Sequence, residues 1–375
     1  MVRVAHPSRK PSHPSTFNYL STHDLHKIDV ILTTSTYSWT SRCHNFFDLF
    51  RFHRVVVDES HLFGTSSANL ESANIIKASR RWCVTATPCT SSAGELYRQL
   101  SFLGGIDGFP GRNFDIGNAK NKFYWLLDVL KPIFVRHTKA QRINGSAALA
   151  LPPSSTTTTL VAMSDVEKGR LRSLVKFHLL SQYRRSGGEN AFPLSRALGL
   201  LSGYGCRSKL VLLSEDLHSL RLKEPSLRAV IFTQSRETHE AVINAVRRNG
   251  FKVLEFSGST SANNRDKSIR EFQAPSQTPA VFVITMRAGN VGITLTAASR
   301  VYLMEPCLDP AVEVQAAGRI HRLGQTKSVR VIRYAFKNSP EHNITKLHNE
   351  IIAGKVSITD GFVPRRAIKI LTYGL

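Results

Sequence analysis

Three short stretches carry residue types that could do chemistry. In Arg54-Val-Val-Val-Asp58-Glu59-Ser60-His61, a run of valines makes a strand, and two acids stand where it emerges. Ligands of open α/β sheets sit at the carboxyl ends of strands. A carboxylate there can hold Mg²⁺, directly or through its water, and a second can orient an attacking water. The solvated exit of a core strand would carry the same acids. In Trp82–Pro88 (WCVTATP) a second strand ends in Thr85 and Thr87, whose hydroxyls can hydrogen-bond neighbouring acids. The third stretch, Asp309–Gln325 (DPAVEVQAAGRIHRLGQ), should start as a helix. Gln315, Arg319 and Arg322 follow at spacings of four and three, so they share one helix face. Two guanidiniums on one face suit phosphate, because each planar fork binds phosphoryl oxygens bidentately and stays charged.

These residues need buried strands behind them. Val30–Thr33, Val55–Asp58 and Trp82–Thr85 are short β-branched runs of the kind a parallel sheet buries on both faces. Ser92 to Glu95 is a capping box; Leu96, Leu100 and Leu103 line one face, and Gly104-Gly105 stops the helix. Residues 138–159 read as a connection. Ser164 to Glu167 opens a second helix running to about Tyr183. A second α/β region follows, with strands at Val230–Thr233, Val253–Phe256, Val281–Thr285, Val301–Met304 and Val329–Tyr334. Thr238–Asn249 is a helix, and Asp309 before Pro310 is an N-cap followed by a first-turn proline. The reading is α/β: two parallel-sheet domains with a cleft between them, joined by a helical segment.

Composition narrows the function classes. The 375 residues include 50 Lys and Arg against 27 Asp and Glu, a net charge of +23. Apolar residues make up 42 %, enough to bury a core. Such an excess of positive charge suits a protein that sits on nucleic acid. The richest apolar stretch, Trp125 to Val135, is interrupted by Asp128, Lys131 and Pro132, so no bilayer span is expected. Five cysteines, none in a C-x-x-C pair, argue against a disulfide framework or a zinc module. No G-x-G-x-x-G follows a first strand and the charge is of the wrong sign, which argues against a nicotinamide-dependent dehydrogenase.

The ordered set ILTTSTY (31–37), VVVDESH (55–61), VTATP (84–88), VIFTQ (230–234), FSGST (256–260), the block Ile284–Pro306 and QAAGRIHRLGQ (315–325) resembles the Swi/Snf-type branch of superfamily-two helicases. These are DNA-dependent ATPases with two RecA-like lobes. The resemblance implies ATP and Mg²⁺ as cofactors. It implies DNA as partner, contacted through its backbone, with nucleosomes or repair proteins beyond it, and a nuclear location. Asp58 and Glu59 match the motif that holds Mg²⁺ and activates water, and His61 completes it. Thr85, Thr87, Gly289 and Gly292 match coupling motifs. Thr33, Thr34, Thr233 and Gln234 lie in motifs that face DNA. Gln315 opens the motif whose Arg319 and Arg322 match arginine fingers. The lobes fall at 28–137 (partial) and 226–340. A polar lead-in covers 1–27, a linker with helical insert 138–225, and an extension 341–375.

The sequence departs from the family pattern in places. Ala86 stands for a usual Gly, Asn290 and Thr294 for a Gly and an Asn, and Cys307-Leu308 for an aromatic and polar pair. No G-x-x-x-x-G-K-[ST] phosphate loop occurs in these residues, and only 57 of them precede Asp58. The expectation is a first lobe lacking that loop and its first strands. The chain is then a fragment of a translocase without turnover as written, or a non-catalytic DNA-binding or scaffold relative.

Overall fold

The computed structural model describes residues 2–4, 28–33, 50–61, 74, 76–88, 93–104, 128–139, 141–174, 191–193, 205–258, 260–289, 292–353 and 362–364. The chain divides into two compact units, Met1–Val135 and Arg136–Leu375.

In the first unit β1 (Val2–Val4) pairs in parallel with β2 (Val30–Leu32), so part of the expected lead-in is a strand. β3 (Phe52–Asp58) pairs in parallel with β4 (Ala78–Val84), placing Asp58 opposite Val84. β4 begins four residues before the expected start, through Arg80-Arg81. Arg81 tolerates this because its guanidinium donates to the Ile76 carbonyl at 2.9 Å and lies over the Phe102 ring. α1 (Ala93–Leu103) buries Leu100 and Phe102 and stops where Gly104 takes φ +62. The expected cap Ser92 lies outside the described residues.

The second unit is built on one six-stranded, all-parallel sheet. Its strands are β7 (Ser154–Val161), β9 (Arg228–Thr233), β10 (Lys252–Phe256), β11 (Ala280–Thr285), β12 (Arg300–Leu303) and β13 (Val329–Phe336). Their order is β10-β11-β9-β12-β13-β7. Successive strand residues point to opposite faces. Val230 and Phe232 of β9 accordingly join one core with Phe282 and Phe272, and Ala229 and Ile231 join the other with Val283 and Tyr302.

Helices cover both faces. One face takes Leu213 and Leu217 of α3 (Arg207–Lys223) and Val242 and Val246 of α4 (Arg236–Arg248). The other takes Phe272 of α5 (Ala262–Gln273) and Ala316 of α7 (Pro310–Gly318). The remaining elements are α2 (Asp165–Leu174), α6 (Met286–Gly289) and α8 (Pro340–Ile352). β8 (Ala191–Pro193) pairs antiparallel with β14 (Phe362–Pro364). The Ser164–Glu167 capping box forms: the Ser164 amide donates to Glu167 Oε2 at 2.8 Å and the Glu167 amide to Ser164 Oγ at 3.3 Å. Residues beyond Leu174 in the expected helix lie outside the described ones.

The stretch 138–159 differs most from expectation. It holds a hairpin, β5 (Arg142–Ile143) and β6 (Ser146–Ala147), turning at Asn144-Gly145, both at positive φ. Then comes most of β7, the edge strand beside β13. Its Thr run has no apolar alternation, but Thr is β-branched and suits a pleated, half-exposed edge. We therefore expect a fragment 226–340 to fail to melt cooperatively, since it lacks β7, α3 and most of α8. Residues 136–375 should give one cooperative transition by circular dichroism. A cooperative melt of 226–340 would contradict this.

Candidate functional site

In the first unit the acids sit at the carboxyl end of β3. Glu59 takes φ +51, left-handed backbone that is uncommon for a non-glycine residue, and its amide donates to Asp58 Oδ1 at 3.0 Å. Asp58 itself is exposed. His61 Nδ1 lies 2.8 Å from Thr85 Oγ1 and 3.4 Å from Glu59 Oε2. The Thr87 amide donates to Thr85 Oγ1 at 3.1 Å. The exits of β3 and β4 are thus joined through His61 and Thr85, whose hydroxyl meets the imidazole. A second tie was not visible in the sequence. Ser60 Oγ, fully buried, donates to Gln99 Oε1 at 2.8 Å, and Gln99 Nε2 donates to the Pro88 carbonyl. Cys83, behind this network, has its thiol pushed up to about 11 by burial.

In the second unit α7 starts as the sequence indicates: the Ala311 amide donates to the Asp309 carboxylate at 2.8 Å, with Pro310 in the first turn. It ends at Gly318, so the shared helix face of Gln315, Arg319 and Arg322 does not form. Arg319 is the C-cap residue and is buried; Arg322 lies in the turn beyond and is half-buried. The turn is pinned from several sides. The Leu295 amide donates to the Arg319 carbonyl at 2.9 Å, and Arg322 Nη1 donates to the Ile293 carbonyl at 3.3 Å. Gln325 Nε2 donates to the Ala298 carbonyl at 2.8 Å. Gly324 takes φ +95, a conformation only glycine adopts without strain. The arginine turn is therefore bound to the loop that follows α6 and contains Gly292. Gly289 closes α6; Gly292 has ordinary backbone, and a Cβ there would meet open space.

Buried Glu313 positions α7. It accepts from the Cys307 amide at 2.8 Å and pairs with Arg333 of β13, which also donates to Thr158 Oγ1 of β7 at 2.9 Å. His348 Nε2 bonds the Cys307 carbonyl at 2.6 Å.

The residues expected to face DNA are distributed unevenly. Thr33 is exposed after β2, and Thr34 lies outside the described residues. Thr233 is fully buried, its hydroxyl 2.9 Å from His239 Nδ1, so its side chain faces the interior. Gln234 donates through Nε2 to the Pro306 carbonyl at 2.7 Å and through its amide to Glu305 Oε2 at 3.1 Å. Both residues brace the carboxyl end of the sheet. Burial holds the Glu305 carboxyl above the usual range. Among the described residues no group of three or more His, Cys, Asp or Glu is placed to hold a metal, and no helix is long and apolar enough to cross a membrane. Mg²⁺ needs fewer protein ligands, one or two carboxylates beside phosphate and water. Exposed Asp58, with one oxygen fixed by the Glu59 amide, fits that demand.

Comparison with known proteins covers both units. The family model for an SNF2-related domain matches residues 13–191, and that for a helicase conserved C-terminal domain matches 209–324. The human SWI/SNF-related matrix-associated actin-dependent regulator of chromatin subfamily A member 1 is 27 % identical over 352 residues, 85 % of this chain and 32 % of that protein. The rabbit (Oryctolagus cuniculus) helicase-like transcription factor is 24 % identical, over 88 % of this chain and 46 % of its own. A putative subfamily A member 3-like 1 protein of Arabidopsis thaliana reaches 38 % identity over 144 residues, 38 % of this chain and 16 % of that protein. The chain spans between about a sixth and a half of the length of these relatives.

The buried histidines set a pH dependence. Burial lowers the affinity of His239 and of His348 for a proton, more than their neighbouring carboxylates raise it. The unfolded imidazoles take protons near pH 6.5 while the folded ones resist, so stability is full above that pH and is lost as pH falls through it. Urea unfolding should show stability falling between pH 7 and 5, by up to about 1.4 kcal/mol per pH unit for each proton taken up. His348→Gln should flatten the profile; an unchanged slope would contradict the assignment.

Proposed function

We propose that this chain, which belongs to the Swi/Snf-type branch of superfamily-two helicase-like proteins, is ATP-dependent DNA translocase machinery that works on chromatin, in remodelling or repair, in the nucleus. The observation that carries the reading is the turn 319–322. It holds two arginines, is pinned to the loop that contains Gly292, and leaves Arg322 without a carboxylate partner among the described residues. A guanidinium held this way suits the charge that develops on a transferring phosphoryl group.

The first unit's geometry supports further roles. Asp58 would hold Mg²⁺, which when bound neutralises phosphate charge. Glu59, on its left-handed turn, would orient the attacking water. His61 and Thr85, in contact across the two strand exits, would pass the state of that site to β4 and Thr87. Coupling in the second unit would run from Gly289 and Gly292 to the arginine turn, and Gln315 would lead into it. Thr33 and Thr34, with the backbone around Thr233 and Gln234, would lie along DNA. The net charge of +23 supports a phosphate-bearing partner. The spacing of Gln315, Arg319 and Arg322 by four and three is no part of this support, since α7 ends before the arginines.

A second reading has its own observation: the 375 residues contain no G-x-x-x-x-G-K-[ST], whose amides and lysine cradle phosphates in this class. The chain alone would then bind DNA without turning over ATP.

Three outcomes test these readings. Duplex DNA binding should weaken with salt at a log–log slope of about −0.9 per phosphate neutralised, with little sequence preference; a flat salt titration would refute it. Arg322→Ala should weaken binding of a fluorescent ATP analogue about tenfold, on the scale of a lost charge-assisted bond, while leaving the melting temperature within a few degrees. An analogue bound equally well by both would remove Arg322 from the nucleotide. ATP turnover by the 375-residue chain, with or without DNA, should stay at background. Robust turnover abolished by Asp58→Asn would mean that another loop here binds phosphate.

A further inference from the structure

Lys139 lies in the stretch that precedes β5, yet its ammonium donates to the His321 carbonyl at 2.6 Å, across 182 positions of sequence. That carbonyl belongs to the peptide group whose nitrogen is Arg322's. The same turn is held from another side, where His321 Nε2 bonds the Pro152 carbonyl at 2.8 Å. Lys139 and Pro152 thus hold the turn from two sides, and Lys139 brings a second cation to it.

We propose that Lys139 and Arg322 together seat one phosphoryl group, with Lys139 a ligand that the sequence motifs do not mark; this rests on the reading of Arg322 as a phosphate contact. Both groups keep donors to spare. An ammonium has three N–H groups and Lys139 uses one on His321; a guanidinium has five and Arg322 uses one on Ile293. Among the described residues neither is paired with a carboxylate. The acids of α7 and its N-cap have other partners: Glu313 has Arg333 and the Cys307 amide, and Asp309 has the Ala311 amide. Burial, and after it the Arg322 charge, makes the Lys139 ammonium easier to deprotonate, as expected of like charges held together without an acid. An anion relieves that repulsion. A carboxylate has two oxygens, both of which an arginine fork can occupy; a phosphoryl group has three, enough for the fork and the ammonium.

The test uses the full chain and tripolyphosphate as probe. Lysines are labelled by reductive methylation and quantified by mass spectrometry, with tripolyphosphate affinity measured by calorimetry. Tripolyphosphate should slow labelling of Lys139 at least threefold and leave Lys337, exposed beyond β13, unchanged; Arg322→Ala should remove the protection. Lys139→Ala should weaken tripolyphosphate binding severalfold, and Lys139→Arg should restore it. If Lys139 labels at the same rate with and without the probe while Arg322→Ala still weakens binding, the shared seat is wrong and the Arg322 reading stands. If Arg322→Ala binds like the parent and Lys139 is unprotected, both fall. The labelling of the unsubstituted chain decides the question even if a variant fails to fold.

Discussion

A parallel sheet has no face it can leave to water, because its crossover connections place helices on both sides. That constraint organises the second unit. β9 is buried along its whole length and β11 up to its last residue, and alternate residues of each feed two separate cores. These two strands can then reach solvent only at their ends. Polar residues collect there: Gln234 after β9, α6 and the Gly292 loop after β11, Glu305 and Asp309 after β12. The site proposed for the second unit lies at these strand ends.

The same constraint explains what the sequence made legible. Buried strands of valine, isoleucine and phenylalanine stand out, and the five expected in the second unit occur within a few residues of their expected ends. β7 was hidden because an edge strand need not be apolar on either face, and Thr156–Thr159 carries no alternation. The N-terminus of α7 was readable from Asp309-Pro310; its end was not. Nothing local announces that Ile320 will be fully buried and Gln325 will clamp the carbonyls of Ile320 and Ala298, which together turn the chain out of the helix.

The residues proposed for the site divide in the same way. Asp58, Glu59, Arg319 and Arg322 were visible as residue types at the ends of elements. Gln99 and Lys139 were not, because their hydrogen-bond partners lie between 11 and 182 positions away. Thr233 and Gln234 were visible as residue types, but their side-chain contacts were not: one hydroxyl lies in the interior, and the other side chain laces β9 to the exit of β12. A polar residue at a strand's end can belong to the ligand or to the masonry, and only the geometry separates the two.

One interior contact bears on how the second unit comes apart. Lys209 of α3 and Glu341 of α8 form an ion pair at 2.7 Å with almost no exposure, the ammonium also donating to the Met304 carbonyl and the carboxylate accepting from the Phe336 amide. Breaking such a pair by peeling away one helix strands a charge in a dry interior, at a cost of about 3–5 kcal/mol. Helices whose paired residues lie 132 positions apart are therefore tied to the same fate. Neither can fray by itself, and amide protons in α3, α8 and the central strands should exchange through one shared opening of the whole unit, as a single foldon.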